Sequence, residues 1–149
     1  MRVMKMPRLQ GNPSTTEKLV MVFGVFDGLH DGHLSFLKQA HALGTRLIAV
    51  VAQDECVMRL KKHYPRSPLS ERMDALSNSG LVYAVTPGDE TEGGWEVIHR
   101  YRPDIVALGY DQRTMHEHLT LALPSFPFAC DLVVLKPHKP NECHCALMS

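Results

Sequence analysis

Residues 19–33 read LVMVFGVFDGLHDGH, an apolar run to Gly24, a turn punctuated by Gly28, and two histidines, His30 and His33, at its far end. An unbroken apolar run this short suits a parallel strand covered on both faces better than a half-exposed one, which would alternate. From Gly32 to Leu43 the apolar residues Leu34, Phe36, Leu37, Ala40 and Leu43 recur near helical spacing, and Gly44 is predicted to end that helix. Strand, glycine turn and helix make one βα unit, and the rest of the chain repeats the pattern. Arg46 to Ala52 (RLIAVVA) predicts a second strand. Ser67 and Pro68 are read as the cap and first residue of a helix through LSERMDALSNSG. Val82 to Val85 predicts a third strand, Trp95 to Tyr101 a helix and Ile105 to Gly109 a fourth strand. Thr114 to Leu123 predicts a further helix and Leu132 to Leu135 a fifth strand. Such alternation predicts a Rossmann-like three-layer α/β/α sandwich on a five-stranded parallel sheet of order 3-2-1-4-5, with right-handed crossovers.

The chain has 149 residues, of which 44% are hydrophobic and 21% charged, which fits one domain with a single core. The division expected is a leader over 1–18, a domain over 19–140 and a tail over 141–149. Sixteen basic and sixteen acidic residues cancel. The overall field therefore gives no reason to expect a long nucleic acid or an anionic membrane as partner, and any anion must be bound locally. No apolar core of a signal peptide precedes Leu19, so a cytoplasmic protein with free thiols is expected.

In an open parallel sheet ligands collect beyond the carboxyl ends of the strands. The 24–33 loop is such a place. Gly24 and Gly28 permit backbone turns and close approach of a ligand, and the helix start offers unpaired N–H groups to a phosphate. His30 and His33 flank the same spot, where imidazole N–H donors can stabilise charge growing on a phosphoryl group. A second segment, Ala107 to Gln112 (ALGYDQ), ends the fourth strand, beside the first in that sheet order. Asp111 there can accept hydrogen bonds from a ribose or a base, although by composition it is equally an ordinary turn aspartate. A third segment, Arg59 to Arg66 (RLKKHYPR), carries Lys61 and Lys62, with Arg66 and Arg72 as weaker candidates for phosphate contact.

The pattern GxFDxxHxGH after an apolar strand resembles the signature of the cytidylyltransferase-like nucleotidyltransferase superfamily, more narrowly glycerol-3-phosphate cytidylyltransferases and archaeal-type FAD synthases. The similarity covers nearly all of residues 19–140. It implies attack of a phosphorylated acceptor on the α-phosphate of ATP or CTP, with pyrophosphate leaving and Mg²⁺ bridging phosphates. It implies His30 and His33 as catalytic residues. The nucleotide contacts it implies are Gly24, Val25, Phe26, Asp31, Gly32, Lys62 and Asp111, together with the two histidines. Asp27 is expected to order the loop, since an ionised phosphate acceptor has little need of a base. ALGYDQ and the preceding WEVIHRYRPD also resemble archaeal-type FAD synthases, which favours ATP as nucleotide and FMN as acceptor. CTP with glycerol 3-phosphate is the alternative, and a homodimer is expected from the resemblance alone.

The resemblance departs at the end of the chain. Relatives usually carry a Ser/Thr-rich motif after the fifth strand, where this chain reads LKPHKPNECHCALMS. Lys136, His138 and Lys139 can supply charge there, but the hydroxyl-rich motif has no counterpart, which leaves a catalytically impaired nucleotide-binding module as the other reading. Cys143, His144 and Cys145 are too closely spaced for a zinc knuckle, so no metal site is expected. His41 and His63 are read as solvent-facing, Trp95 as packing, Cys56 as a packing or surface residue, and His116 and His118 as lying on different helix faces.

Overall fold

The computed structural model describes residues 17–91 and 93–137. The expected tail lies outside the described residues, as does the expected leader apart from Glu17 and Lys18. The described chain runs β1 (Leu19–Gly24), α1 (Asp31–His41), β2 (Arg46–Val51), α2 (Asp54–Lys61), α3 (Leu69–Asn78), β3 (Ala84–Pro87), α4 (Glu96–Tyr101), β4 (Ile105–Leu108), α5 (Arg113–Ala122), a 3-10 turn (Leu123–Ser125) and β5 (Asp131–Val134). All strand pairs are parallel, in the order β3-β2-β1-β4-β5, so the predicted sheet holds. The central strand, β1, sets Val20 against Leu47 of β2 and Ile105 of β4.

The apolar run of β1 is buried on both faces because successive side chains point to opposite sides. Val20 and Val22 pack with Leu37 and Ala40 of α1 and Leu76 of α3. Met21 and Phe23 pack with Val97 and Ile98 of α4 and Leu119 of α5. Two helix layers thus cover one sheet, which leaves the carboxyl ends of β1 and β4 side by side.

The boundaries correct the sequence reading in four places. Gly44 is not a left-handed helix stop. α1 ends at His41 with Ala42 as a right-handed cap, and Gly44 is instead where a Cβ would fall 2.6 Å from the Lys18 carbonyl oxygen. Helix α2 occupies residues that read as a basic connection, although Asp54 and Glu55 in its first turn and Arg59 and Lys61 in its last match the helix dipole. Pro68 caps α3 rather than opening it, and the Ser67 hydroxyl makes no cap hydrogen bond. β3 lies two residues later than predicted, and just before it the Tyr83 N–H bonds the Leu47 carbonyl at 2.7 Å.

Candidate active site

Beyond Gly24 the chain must leave the sheet and enter α1, and the sequence dictates how. Phe26 takes a left-handed backbone conformation (φ 53°), which turns its buried ring back over the strand end. A Cβ on Gly24 would lie 2.9 Å from that ring, so only glycine leaves room for it. The Phe26 ring also stands 5.6 Å from the His33 ring, walling one side of the helix start. Gly28 supplies the second turn, at φ 78°.

The two histidines form the amino-terminal cap of α1. His30 Nδ1 accepts from the Gly32 backbone N–H at 3.1 Å, and His33 Nδ1 accepts from the His30 N–H at 3.3 Å. This is a capping box built from imidazoles instead of the usual hydroxyl and carboxamide. The glycine between them gives the ring room, since a Cβ on Gly32 would crowd His30 Cε1 at 3.0 Å. The rings stack with centroids 3.8 Å apart. Because each Nδ1 lone pair is occupied as an acceptor, each neutral ring carries its proton on Nε2, which in His33 is also the donor of its hydrogen bond to the Gly28 carbonyl. Burial pushes the His33 imidazole below the usual histidine value and the adjacent His30 adds to this. A backbone hydrogen bond with Gly28 and the carboxylates of Asp111 and Asp27 pull upward without cancelling it. His33 thus favours its neutral form more than a free histidine does. Asp31, at the first position of α1, is exposed and places its charge at the positive end of the helix.

Asp27 orders the loop, as expected. Its carboxylate accepts from the backbone N–H groups of Arg66 at 2.7 Å and Ser67 at 3.1 Å. Burial raises this carboxyl, and those two bonds with the charges of Arg66 and Arg72 outweigh it, leaving it below the ordinary carboxylate value. Arg72, only 1% exposed, braces the same region from below. Its guanidinium donates to the Val25 carbonyl at 2.8 Å and to the Ser67 carbonyl at 2.9 Å, and pairs with Asp54. Lys62 caps α2 in a left-handed conformation (φ 69°) and is exposed, as is Lys61.

Across the strand ends, the segment after β4 faces the loop. Gln112 ties the two together: its carbonyl oxygen accepts from Gly109 N–H at 2.7 Å and its amide donates to the Phe23 carbonyl at 2.9 Å. Asp111 is exposed beside Gly109 and close enough to His33 to act on its ionisation. A shallow groove of about 260 Å³ continues outward, lined by Tyr110, Arg113, His116 and Val134 among others.

The structure therefore gathers Gly24, Val25, Phe26, His30, Asp31, Gly32 and His33 in one turn between β1 and α1, with Asp111 within electrostatic reach of His33, and leaves Lys62 exposed at the end of α2. Two residues matter more than the sequence reading allowed. Arg72 was legible as an arginine on the inward stripe Leu69, Arg72, Met73, Leu76. Gln112 carried no such signal, because a glutamine after a turn is ordinary. Trp95, at the cap of α4, is partly buried against the core and Cys56 is buried, whereas His41 and His63 are exposed. Lys136, after β5, bonds through its backbone to Gln39. The remaining charges and thiols of the final segment lie outside the described residues.

The chain matches the cytidylyltransferase-like family over residues 21–144. It belongs to that family. It is 43% identical over 104 residues to the FAD synthase of Pyrococcus abyssi, covering 67% of this chain and 70% of that protein. To the FAD synthase of Pyrococcus horikoshii it is 39% identical over 116 residues, 78% of each. Among solved structures it is similar to a lipopolysaccharide core biosynthesis protein from Thermoplasma volcanium. That likeness has a TM-score of 0.75 and 30% identity and covers 82% of this chain and 98% of that one. The family and the sheet expected from the first loop are both found, and the chain is a nucleotidyltransferase. None of the described helices is long and apolar enough to cross a membrane.

Proposed function

We propose that this chain is an FMN adenylyltransferase, transferring AMP from ATP to the phosphate of FMN with release of pyrophosphate and formation of FAD. The similarity to the two archaeal FAD synthases carries this reading. An FMN phosphate oxygen forms the new bond to the α-phosphorus of ATP as the bond to the β-phosphate oxygen breaks. The attacking oxygen is already ionised, so the site needs no general base. It needs donors where charge grows, and the Nε2–H groups of His30 and His33 at the head of α1 are the catalytic pair. Gly24, Val25, Phe26, Asp31 and Gly32 shape the backbone against which the phosphates lie, and Asp111 accepts from the ribose. Lys62 supplies a mobile counter-charge.

The described residues hold no group of three or more His, Cys, Asp or Glu able to bind a metal ion. Mg²⁺ bound to ATP would neutralise charge on the phosphates. The enzyme acts in the cytoplasm as a homodimer.

Purified protein with Mg²⁺, ATP and FMN is expected to release pyrophosphate and form FAD in equal amounts. CTP with glycerol 3-phosphate is the opposing arm. Pyrophosphate in that arm alone replaces the assignment with a cytidylyltransferase. Nucleotide binding with no turnover in either arm makes the chain a binding module.

A further inference from the structure

Resting on the nucleotidyl-transfer reading, we propose that Arg66 is the fixed cation that receives the terminal phosphates of the nucleotide, and that Asp27 is the positioning residue that places it. The α2–α3 connection is bonded directly to the loop through Asp27, beside the bonds that Ala52 and Arg72 make to the Gly24 and Val25 carbonyls. Arg66 is held by its own backbone N–H on Asp27, and its guanidinium lies against the loop: a Cβ built on Gly28 would stand 3.3 Å from Nη2. Gly28 therefore serves the turn and the approach of the guanidinium together.

The rest of the connection is pinned as well. Tyr64 donates to the Glu55 carboxylate at 3.3 Å, and Arg72 holds the Ser67 carbonyl. Arg66 itself is exposed and makes no ion pair with a described carboxylate, so its planar fork is preset and unspent. Lys62, in contrast, extends from a helix end with its ammonium unpaired among the described residues. Sheet order gives the direction. β1 lies between β4, which carries Asp111, and β2, whose continuation leads to Arg66. A nucleotide with its nucleoside over β4 and its α-phosphate at the histidines runs its remaining phosphates toward Arg66.

The test is equilibrium binding of ATP and of AMP to the full chain and to Arg66→Ala, Lys62→Ala, Asp27→Asn and the Asp27→Asn/Arg66→Ala double variant, with folding checked by circular dichroism. Arg66→Ala is expected to weaken ATP at least about tenfold while AMP changes less than about twofold, the loss of a charge-assisted contact to the outer phosphates. Lys62→Ala is expected to weaken ATP by no more than about threefold. Asp27→Asn should approach Arg66→Ala, and the double variant should be no weaker than Arg66→Ala alone. Unchanged ATP binding in Arg66→Ala, or equal losses for ATP and AMP, overturns the assignment to Arg66. Additive losses overturn the role of Asp27. Should the unaltered chain bind no ATP, the reaction class itself falls. A chain that shows the expected binding pattern yet makes no FAD leaves Arg66 in place and removes the acceptor assignment. If Arg66→Ala does not fold, Arg66→Lys takes its place, and the selective loss of ATP over AMP is still required.

Discussion

The loop at 24–33 and the connection at 62–68 meet at Asp27, yet they are specified in opposite ways. The loop is encoded within itself. Gly24 makes room for the Phe26 ring, Gly32 makes room for the His30 ring, and each imidazole caps a backbone N–H within three residues of its own position. The connection is encoded elsewhere: its backbone is held by Asp27, its carbonyl by Arg72 and its tyrosine by Glu55. Local rules therefore read the first directly, whereas the second takes shape only when the fold brings distant partners together.

Separating the two duties of His30 gives the largest expected effect. In the loop its Nδ1 caps the helix, which leaves Nε2–H as the ring's donor. His30→Asn keeps a good amino-terminal cap and removes the donor, so turnover should fall by about 100- to 1000-fold with stability nearly intact. His30→Ala should lose both, the cap being worth about 1 kcal/mol. Steady-state rates beside urea melts of the two variants check this. Near-normal turnover in His30→Asn would make the histidine a structural cap only.

The connection should break differently. Arg72→Met fills similar volume but leaves the Asp54 carboxylate and two carbonyls without their donor, in a place from which water is excluded on the arginine side. A loss of about 3 kcal/mol in unfolding free energy is expected, below the upper range for buried pairs because Asp54 is partly exposed. The same variant should also loosen the connection, detectable as faster amide exchange at Arg66 and Ser67. A stability loss without that local change would mean that Arg72 serves the core and not the site.

What could be read from the sequence follows the same division. β1, the helix after it and the sheet order were legible because apolar runs and helical periodicity are local signals, and the crossover rule does the rest. So was the histidine pair, since its meaning depends on a turn only ten residues long, from Gly24 to His33. Helix α2 was hidden because the basic residues of its last turn, Arg59 and Lys61, open the charged run that made the segment look like a loop. The Gln112 bridge to Phe23 was hidden because it joins residues 89 positions apart. Gly44 misled for a related reason: its requirement comes from the Lys18 carbonyl, not from its own helix.

A smaller effect tests how tightly the loop is drawn. Gly32→Ala would ordinarily stabilise a helix by about 0.5–1 kcal/mol through backbone entropy. Here the new methyl presses on His30 Cε1 and must turn the ring, so the gain should be offset and the net change in stability small. Turnover should nevertheless fall by about tenfold or more, because the donor is displaced rather than deleted. A more stable enzyme with full activity would show that the His30 ring has freedom the close contact denies it.

The smallest and most specific effect is electrostatic, and it belongs to His33. With its folded value below 6.5, the native chain binds fewer protons than the unfolded chain between the two values, so stability rises with pH across that interval. The contribution is undiminished above pH 6.5, is lost as pH falls toward the folded value, and levels off below it. Protonation also occupies Nδ1, which can then no longer accept from the His30 N–H, so cap and charge fail together. His33→Gln retains an acceptor at the position favoured for glutamine in a capping box and removes the titration. The difference between unfolding free energies of the two proteins should therefore vary with pH only below about 6.5, where a free histidine begins to protonate. An imidazole NMR titration of His33 should give a midpoint under that value. A midpoint above it would mean that the Gly28 hydrogen bond and the carboxylates of Asp111 and Asp27 outweigh burial and the neighbouring His30.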